Sequence, residues 1–184
     1  MNKISFQILP SPETNDHEIR ILIDNEDLLG SDYLGIDPAV FFAVEEPDTA
    51  GELIIGRCTC GCEGCCDFPI IVTINESTIG WTNSNGLNLL FDKIDYVREF
   101  HVAKKDHSWE DIKRRVERLV TNILKNSLVN DNYSFTWASA RIKDKNITLS
   151  YSKNGTQKLF ELDWDGRTEA DAEHKAVKFL NNSR

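Results

Sequence analysis

The chain lacks cysteine everywhere except in one short segment, and it is poor in methionine, histidine and proline. Its 184 residues include one Met, four His and five Pro. No apolar run approaches the roughly 18 residues that a membrane-spanning helix needs. The first ten residues contain no apolar segment long enough for a secretory signal peptide, and they are too polar for one. These absences predict a cytoplasmic protein that neither crosses nor binds a membrane.

The common catalytic and nucleotide-binding motifs are also missing. There is no Gly-x4-Gly-Lys-Ser/Thr loop, no Gly-x-Gly-x-x-Gly, no Gly-x-Ser-x-Gly and no His-Glu-x-x-His. Asp163 and Asp165 would share one strand face, as paired catalytic carboxylates do. Their place just before Gly166 and a helix start is more typical of solvated residues at a strand end. The sequence therefore assigns no catalytic residue and does not favour an enzyme.

Basic side chains are scarce in the first third of the chain. Residues 1–57 hold twelve acidic and three basic side chains, which account for the whole net charge of −9, whereas residues 58–184 hold eighteen of each. Phosphate contacts need Lys and Arg, so the sequence predicts no nucleic-acid partner for the acidic region. A basic protein partner is compatible with this charge, and a solvated acidic face is the simpler interpretation.

Hydrophobic periodicity predicts a single α+β domain spanning residues 1–184, with a twisted antiparallel sheet and two main helices packed on one face. Strands are expected at 4–8, 18–23, 52–58, 69–74, 78–82, 87–91, 134–138, 147–151 and 158–164. Helices are expected at 93–104, 109–128 and 169–180. Asn154-Gly155 between the last two strands is a strong signal for a two-residue hairpin turn.

The helix predicted at 109–128 has the clearest amphipathic pattern. Ser108 is a suitable N-cap, and the apolar residues form one stripe at a 3.6-residue period, so we expect Leu119 to be buried. Arg114, Arg115 and Arg118 lie off that stripe and are expected in solvent. In the helix predicted at 93–104, the buried residues are expected to be Ile94, Val97 and Phe100.

All five cysteines fall within nine residues, at positions 58, 60, 62, 65 and 66. Predicted strands flank the segment, so we interpret it as a hairpin with Gly61-Cys62-Glu63-Gly64 as a four-residue loop, in which glycine supplies the unusual backbone angles. Cys60 would then face Cys65, and Cys58 would share their side of the ladder because strand side chains alternate. Cys66 would point the other way.

This triangle of thiols has three interpretations. Cys58, Cys60 and Cys65 could bind Zn²⁺ if Cys62 or another group supplied a fourth ligand. The spacing is poor for structural zinc, because a pair of separated Cys-x-x-Cys motifs is absent and no histidine has a recognisable ligand spacing. Reduced cysteines packed as small apolar residues are favoured instead. A disulfide, for which Cys60 and Cys65 would be close enough, is the third interpretation.

The segment Arg57-Cys-Thr-Cys-Gly-Cys-Glu-Gly-Cys65, followed by a strand and Trp81, resembles a group of uncharacterised bacterial proteins. Their motif is Arg-Cys-x-Cys-Gly-x-x-Gly-Cys, and the similarity extends to residues 22–29 and 91–96. The resemblance implies that Cys58, Cys60 and Cys65 are the shared element, with Cys62 and Cys66 outside it. It implies no known activity.

Three functions follow as hypotheses. The first is a non-enzymatic bacterial binding protein, for example an immunity protein whose acidic first third covers the basic active site of a toxin. The second is a metal-thiolate protein that binds zinc through the Cys58–Cys66 segment. The third is an enzyme with a cysteine nucleophile.

Overall fold

The structure, a computed structural model, describes residues 1–11, 16–43, 47–62, 64–130 and 132–182. Its mixture of four helices and antiparallel strands confirms the α+β class. The chain divides into two compact units, Met1–Trp109 and Glu110–Arg184, which are described separately. The strands belong to three sheets instead of the one expected, while the single domain and the packing of two helices on one face stay predictions.

The first unit contains a three-stranded and a five-stranded sheet, in which all neighbouring strands are antiparallel. The three-stranded sheet consists of β1 (Ile4–Ser11), β2 (Asp16–Ile23) and β3 (Glu26–Asp27). The five-stranded sheet consists, in spatial order, of β4 (Tyr33–Gly35), β5 (Gly51–Cys58), β6 (Asp67–Ile74), β7 (Thr78–Thr82) and β8 (Asn88–Asp92). The short strands β3 and β4 were not expected from the sequence, because two or three residues carry no readable alternation.

The two sheets of this unit are joined at both edges. The backbone N–H of Ile19 donates to the carbonyl of Ile36 at 2.9 Å, and that of Asn2 donates to the carbonyl of Leu90 at 2.7 Å. The first contact explains Gly35, since a Cβ at that position would collide with the backbone of Ile19. The strands therefore surround one core.

Aromatic side chains form much of that core, and side chains from the helices of the unit complete it. The helices are α1 (Pro38–Phe41) and α2 (Lys93–Lys105), and α2 lies close to its predicted position. Tyr96 and Phe100 of α2 are buried, and the ring centroid of Trp81 lies 5.8 Å from that of Tyr96. The expectation that Ile94 is buried is wrong, because it is 78% exposed on the opposite side of the helix from this pair.

The second unit is a four-stranded antiparallel sheet with two helices. Its elements are α3 (Ile112–Leu124), β9 (Leu128–Val129), β10 (Tyr133–Lys143), β11 (Asn146–Lys153), β12 (Thr156–Asp163) and α4 (Glu169–Asn182), with the strands in the spatial order β12-β11-β10-β9. Val116, Val120 and Leu124 of α3 share a core with residues of β11 and α4. Asn154 and Gly155 have φ of 49° and 77°, which confirms the predicted hairpin turn.

Three details of α3 differ from the sequence prediction. The N-cap is Asp111, whose side chain accepts a hydrogen bond from Arg114 N at 2.8 Å, so the helix begins later than expected from Ser108. Arg114 was expected in solvent but is buried, because its guanidinium group pairs with Glu117. Leu119 is only half-buried, since the core stripe is centred on Val116 and Val120. None of the helices in the described residues is long and apolar enough to cross a membrane.

Candidate metal centre

The cysteines lie at the tip of the hairpin formed by β5 and β6. The last strand pair is Arg57 with Asp67, after which Cys58 N donates to the carbonyl of Cys66 at 3.0 Å. Cys58 is therefore opposite Cys66, and the expectation that Cys60 faces Cys65 across the ladder is wrong. A register irregularity between Ile54 and Gly56 accompanies this pairing, and such a shift cannot be read from alternation alone.

Two consecutive turns bring the thiols together. Gly61 N donates to the carbonyl of Cys58 at 2.9 Å, and Cys65 N donates to the carbonyl of Cys62 at 3.3 Å. Gly61 and Gly64 have φ of 72° and 74°, which confirms the expectation that glycine supplies left-handed backbone angles here. Glu63, which belongs to the predicted loop, lies outside the described residues. Each turn reverses the chain, so thiols from both halves of the segment meet.

The three thiols predicted as metal ligands form one cluster. The Sγ atoms of Cys58, Cys60 and Cys65 all lie within 4.8 Å of one another, and those of Cys58 and Cys60 are 2.8 Å apart. Cys62 lies beside them, with its Sγ 3.8 Å from the carbonyl oxygen of Cys60. We call Cys58, Cys60 and Cys65 the thiol cluster; three cysteines this close together could hold a metal ion.

Solvent reaches the cluster. Cys58 is half-buried and the other four cysteines are exposed, all with free thiols. The favoured interpretation of the sequence, cysteines packed as small apolar residues with little solvent access, is therefore wrong. The tip projects beyond the core that Trp81 and Tyr96 help to form, and no described cysteine belongs to that core.

The cluster contains one acidic thiol among less acidic ones. The hydrogen bond from the Cys58 thiol, together with the weaker effect of the backbone N–H of Cys62, lowers the pKa of Cys60 to about 7. Once Cys60 is ionised, its sulfur holds the protons of its neighbours, which raises the pKa of Cys65 to about 11 and also raises that of Cys62. A thiolate at Cys60 is therefore well populated near neutral pH, and thiolate is the form that binds metals.

Residues at the end of β5 and the start of β6 hold the tip of the hairpin in place. Asp67 Oδ2 accepts a hydrogen bond from Gly64 N at 3.1 Å, which fixes the second turn against the start of β6. Arg57, which directly precedes Cys58, pairs with Asp67 as the last strand pair of the hairpin. The base of the site is thus ordered by backbone and carboxylate contacts, while the thiols themselves stay in solvent.

The candidate carboxylate pair near the end of β12 has structural roles. Asp165 accepts hydrogen bonds from Arg167 N and Thr168 N, both at 2.8 Å, and from the Thr168 hydroxyl, which lowers the pKa of Asp165. Asp163 accepts from Asn146 Nδ2 at 3.3 Å. These contacts favour the interpretation of strand-end residues over that of an acid–base pair.

Much of the acidity of the first third is also tied to structure. Glu18 accepts from Gly35 N at 2.6 Å, Asp24 accepts from Lys3 N at 2.8 Å, and Asp37 caps α1. Asp27 binds the buried Arg20. Glu13, Glu45 and Glu46 lie outside the described residues. These four acidic side chains thus stabilise the fold, and a basic protein partner stays a prediction.

Sequence reasoning missed a buried ionic network in the second unit. Glu117 Oε1 accepts hydrogen bonds from Ser139 Oγ and Ala140 N, both at 2.9 Å, and from Arg141 Nε at 3.0 Å. Its Oε2 lies 3.3 Å from a guanidinium nitrogen of Arg114. The i,i+3 spacing of Arg114 and Glu117 was a readable signal, but their burial was not. We call Arg114, Glu117, Ser139 and Arg141 the Glu117 network.

Comparisons of the chain with known protein families, curated proteins and solved structures found no match. The resemblance to the group of bacterial proteins therefore stays a prediction. Within the described ranges, the thiol cluster is the one group of three or more potential ligand side chains close enough to share a metal ion, and it contains no histidine.

Proposed function

We propose that this protein binds one thiophilic metal ion, with Zn²⁺ as the first candidate, through Cys58, Cys60 and Cys65. The observation that carries the proposal is the approach of their three Sγ atoms to within 4.8 Å of one another on an exposed tip. The same residues are the three that the bacterial motif shares. The exposure of the thiols also supports the proposal, since cysteines packed as small apolar residues would be buried.

The geometry is compatible with zinc after a small adjustment. Zn–S bonds of about 2.3 Å in a tetrahedron separate the sulfurs by roughly 3.8 Å. Cys58 and Cys60, at 2.8 Å, would therefore move about 1 Å apart. Side-chain rotation at Cys60, which is exposed, can supply that movement without disturbing the core.

The fourth ligand would come from Cys62 or from outside the chain. Cys62 lies against the carbonyl of Cys60, and its thiol interacts with the Cys60 sulfur. A four-thiolate site would be closed and would order the two turns, whereas a three-thiolate site would keep one position open for a solvent or partner group. Either site would rigidify the tip instead of nucleating the core.

The test is a titration of reduced protein with Zn²⁺ or Co²⁺, followed by metal analysis and by the thiolate-to-cobalt absorption. We expect one metal ion per chain, and more than about a tenfold loss of affinity in Cys60→Ser. Cys66→Ser is the matched control, because Cys66 contributes its backbone carbonyl to the hairpin and lies outside the cluster. Equal affinities of the two variants, or no binding by the reduced protein, would contradict the proposal.

A variant of Cys62 identifies the fourth ligand. If Cys62 binds the ion, Cys62→Ser weakens the binding as Cys60→Ser does and changes the cobalt spectrum. If the fourth position is open, Cys62→Ser retains its affinity, and added imidazole changes the spectrum of the cobalt form. The binding protein and the cysteine enzyme of the sequence analysis have no comparable observation in their favour.

A further inference from the structure

Two thiols of the tip, those of Cys58 and Cys60, lie within hydrogen-bond distance of each other. Their Sγ atoms are 2.8 Å apart, which is less than about 1 Å longer than a disulfide bond of about 2.05 Å. We infer that hydroperoxides oxidise the thiols of Cys58 and Cys60 to a reversible disulfide, and that formation of this disulfide releases the metal. The release rests on the proposed function, but the disulfide does not.

The local backbone favours this pair. Residues two apart in a strand have Cα atoms about 6.6 Å apart, near the upper limit of about 6.8 Å for a disulfide. Here the turn closed by Gly61 N and the carbonyl of Cys58 bends the chain and shortens that separation. Gly61, with φ of 72°, allows the bend. Cys60 and Cys65, the pair expected from the sequence, belong to different turns.

Exposure assigns an order to the two thiols. Cys60 is exposed and Cys58 is half-buried, so Cys60 is the sulfur that meets the oxidant. The Cys60 thiolate attacks one peroxide oxygen, the O–O bond breaks, and the departing hydroxide takes up a proton to leave as water. The Cys58 sulfur then attacks the sulfur of the Cys60 sulfenic acid, the S–O bond breaks, and the departing hydroxide takes up the proton of the Cys58 thiol to leave as water.

This sequence is balanced. Two thiols and one hydrogen peroxide give one disulfide and two waters, so the cysteines lose two electrons and the peroxide gains them. A dithiol such as dithiothreitol reverses the change by thiol–disulfide exchange. The disulfide removes two of the three thiolates from the thiol cluster, and a single remaining thiolate at Cys65 cannot hold the ion alone.

The first experiment isolates the pair. A Cys62→Ser/Cys65→Ser/Cys66→Ser variant keeps only Cys58 and Cys60, and a Cys58→Ser/Cys60→Ser/Cys66→Ser variant keeps only Cys62 and Cys65. With one equivalent of hydrogen peroxide, we expect the first variant to lose about 2 Da as a monomer and to regain it with dithiothreitol. We expect the second to oxidise several-fold more slowly, because its sulfurs are not both within the cluster.

A first variant that stays reduced, forms intermolecular dimers, or advances to sulfinic acid would overturn the inference. Oxidation of the second variant at an equal or higher rate would overturn it too. Near-ultraviolet circular dichroism of both variants checks that the core around Trp81 is intact.

The second experiment follows metal in the unsubstituted protein. We expect peroxide to transfer zinc from the loaded protein to a chromogenic chelator at the rate at which the disulfide forms. Protein that binds zinc but forms no Cys58–Cys60 disulfide contradicts the inference alone. Protein that forms the disulfide but never binds metal contradicts the proposed function alone.

Discussion

The thiol cluster of the first unit and the Glu117 network of the second are both polar, and they differ in burial and in completeness. Glu117 is buried, and both of its carboxylate oxygens accept hydrogen bonds from neighbours in the chain. The thiols are exposed, and their donors and acceptors are largely one another. A buried charge requires such internal partners, whereas an exposed cluster does not.

The difference separates a structural role from a functional one. A network whose bonds are complete within the chain stabilises the fold and offers no position to a ligand. A cluster of sulfurs held by two turns outside the core contributes little to folding and retains the capacity to bind an ion or to be oxidised. Four variants or conditions test this separation, and their expected effects decrease in the order given.

The largest effect is expected from Glu117→Ala. The substitution removes the carboxylate that pairs with the buried Arg114 guanidinium group and accepts hydrogen bonds from Ser139 and Ala140, so we expect the free energy of unfolding to fall by about 3–5 kcal/mol. Chemical denaturation monitored by circular dichroism measures the change. Lys143→Ala is the control, because Lys143 forms an exposed ion pair with Glu161 and its loss should change stability little. If the two substitutions lower the free energy of unfolding by similar amounts, the network has no special structural role.

The next effect is expected from Gly61→Ala. An L-residue in the left-handed region costs about 1–2 kcal/mol, and this strain would be relieved by moving Cys60 away from Cys58. Zinc affinity should therefore fall by about tenfold. Gly155→Ala is the matched control, since Gly155 also has positive φ, at 77°, but belongs to the hairpin of β11 and β12, outside the cysteine segment. If Gly155→Ala weakens binding equally, the turn at Gly61 does not organise the site.

A smaller change is expected in the titration of the thiols. Because the pKa of Cys60 is lowered to about 7, thiolate absorbance of the reduced, metal-free protein should begin to rise as the pH passes through about 7. In Cys58→Ala the main hydrogen bond to Cys60 is lost, so this first step should move up towards the ordinary thiol range of about 8.5. A first step at unchanged pH in Cys58→Ala would show that Cys58 does not stabilise the thiolate.

The smallest effect is expected on the stability of the fold when the thiols are replaced. Cys58→Ser/Cys60→Ser/Cys65→Ser removes three side chains that lie outside the core, so its thermal midpoint should match that of the unsubstituted reduced protein. A chelator that removes bound metal should leave the protein folded, with the midpoint of the metal-free protein. Loss of folding in either case would show that the tip is needed for the fold, as the Glu117 network is.

The elements of regular structure were largely predictable. The β7 strand at Thr78–Thr82 begins and ends as expected, and α2 and α4 differ from their predicted bounds by one or two residues at one end. Alternation and the 3.6-residue period are local properties, so they are readable in one sequence. The exceptions are α3, which starts three residues later and ends four residues earlier than predicted, and the short strands β3, β4 and β9. The strand β9 includes Leu128, which was expected at the end of the helix.

The candidate site was predictable in membership but not in geometry. The identities of Cys58, Cys60 and Cys65 followed from the motif, and glycines at 61 and 64 indicated the turns. The register of β5 and β6, which places Cys58 opposite Cys66, depends on pairing between distant residues and was wrong in the sequence prediction. Exposure was wrong for the same reason, since burial is a property of the assembled sheet.

The sequence alone therefore determined the strands, the helices and the residues that can bind a metal, because each follows from local periodicity, turn chemistry or composition. Only the tertiary structure decided that Arg114 is buried against Glu117, that the thiols are in solvent, and that the sulfurs of Cys58 and Cys60 lie 2.8 Å apart. The physical reason is that side-chain exposure and sulfur–sulfur distances arise from strand register and packing between residues far apart in the chain.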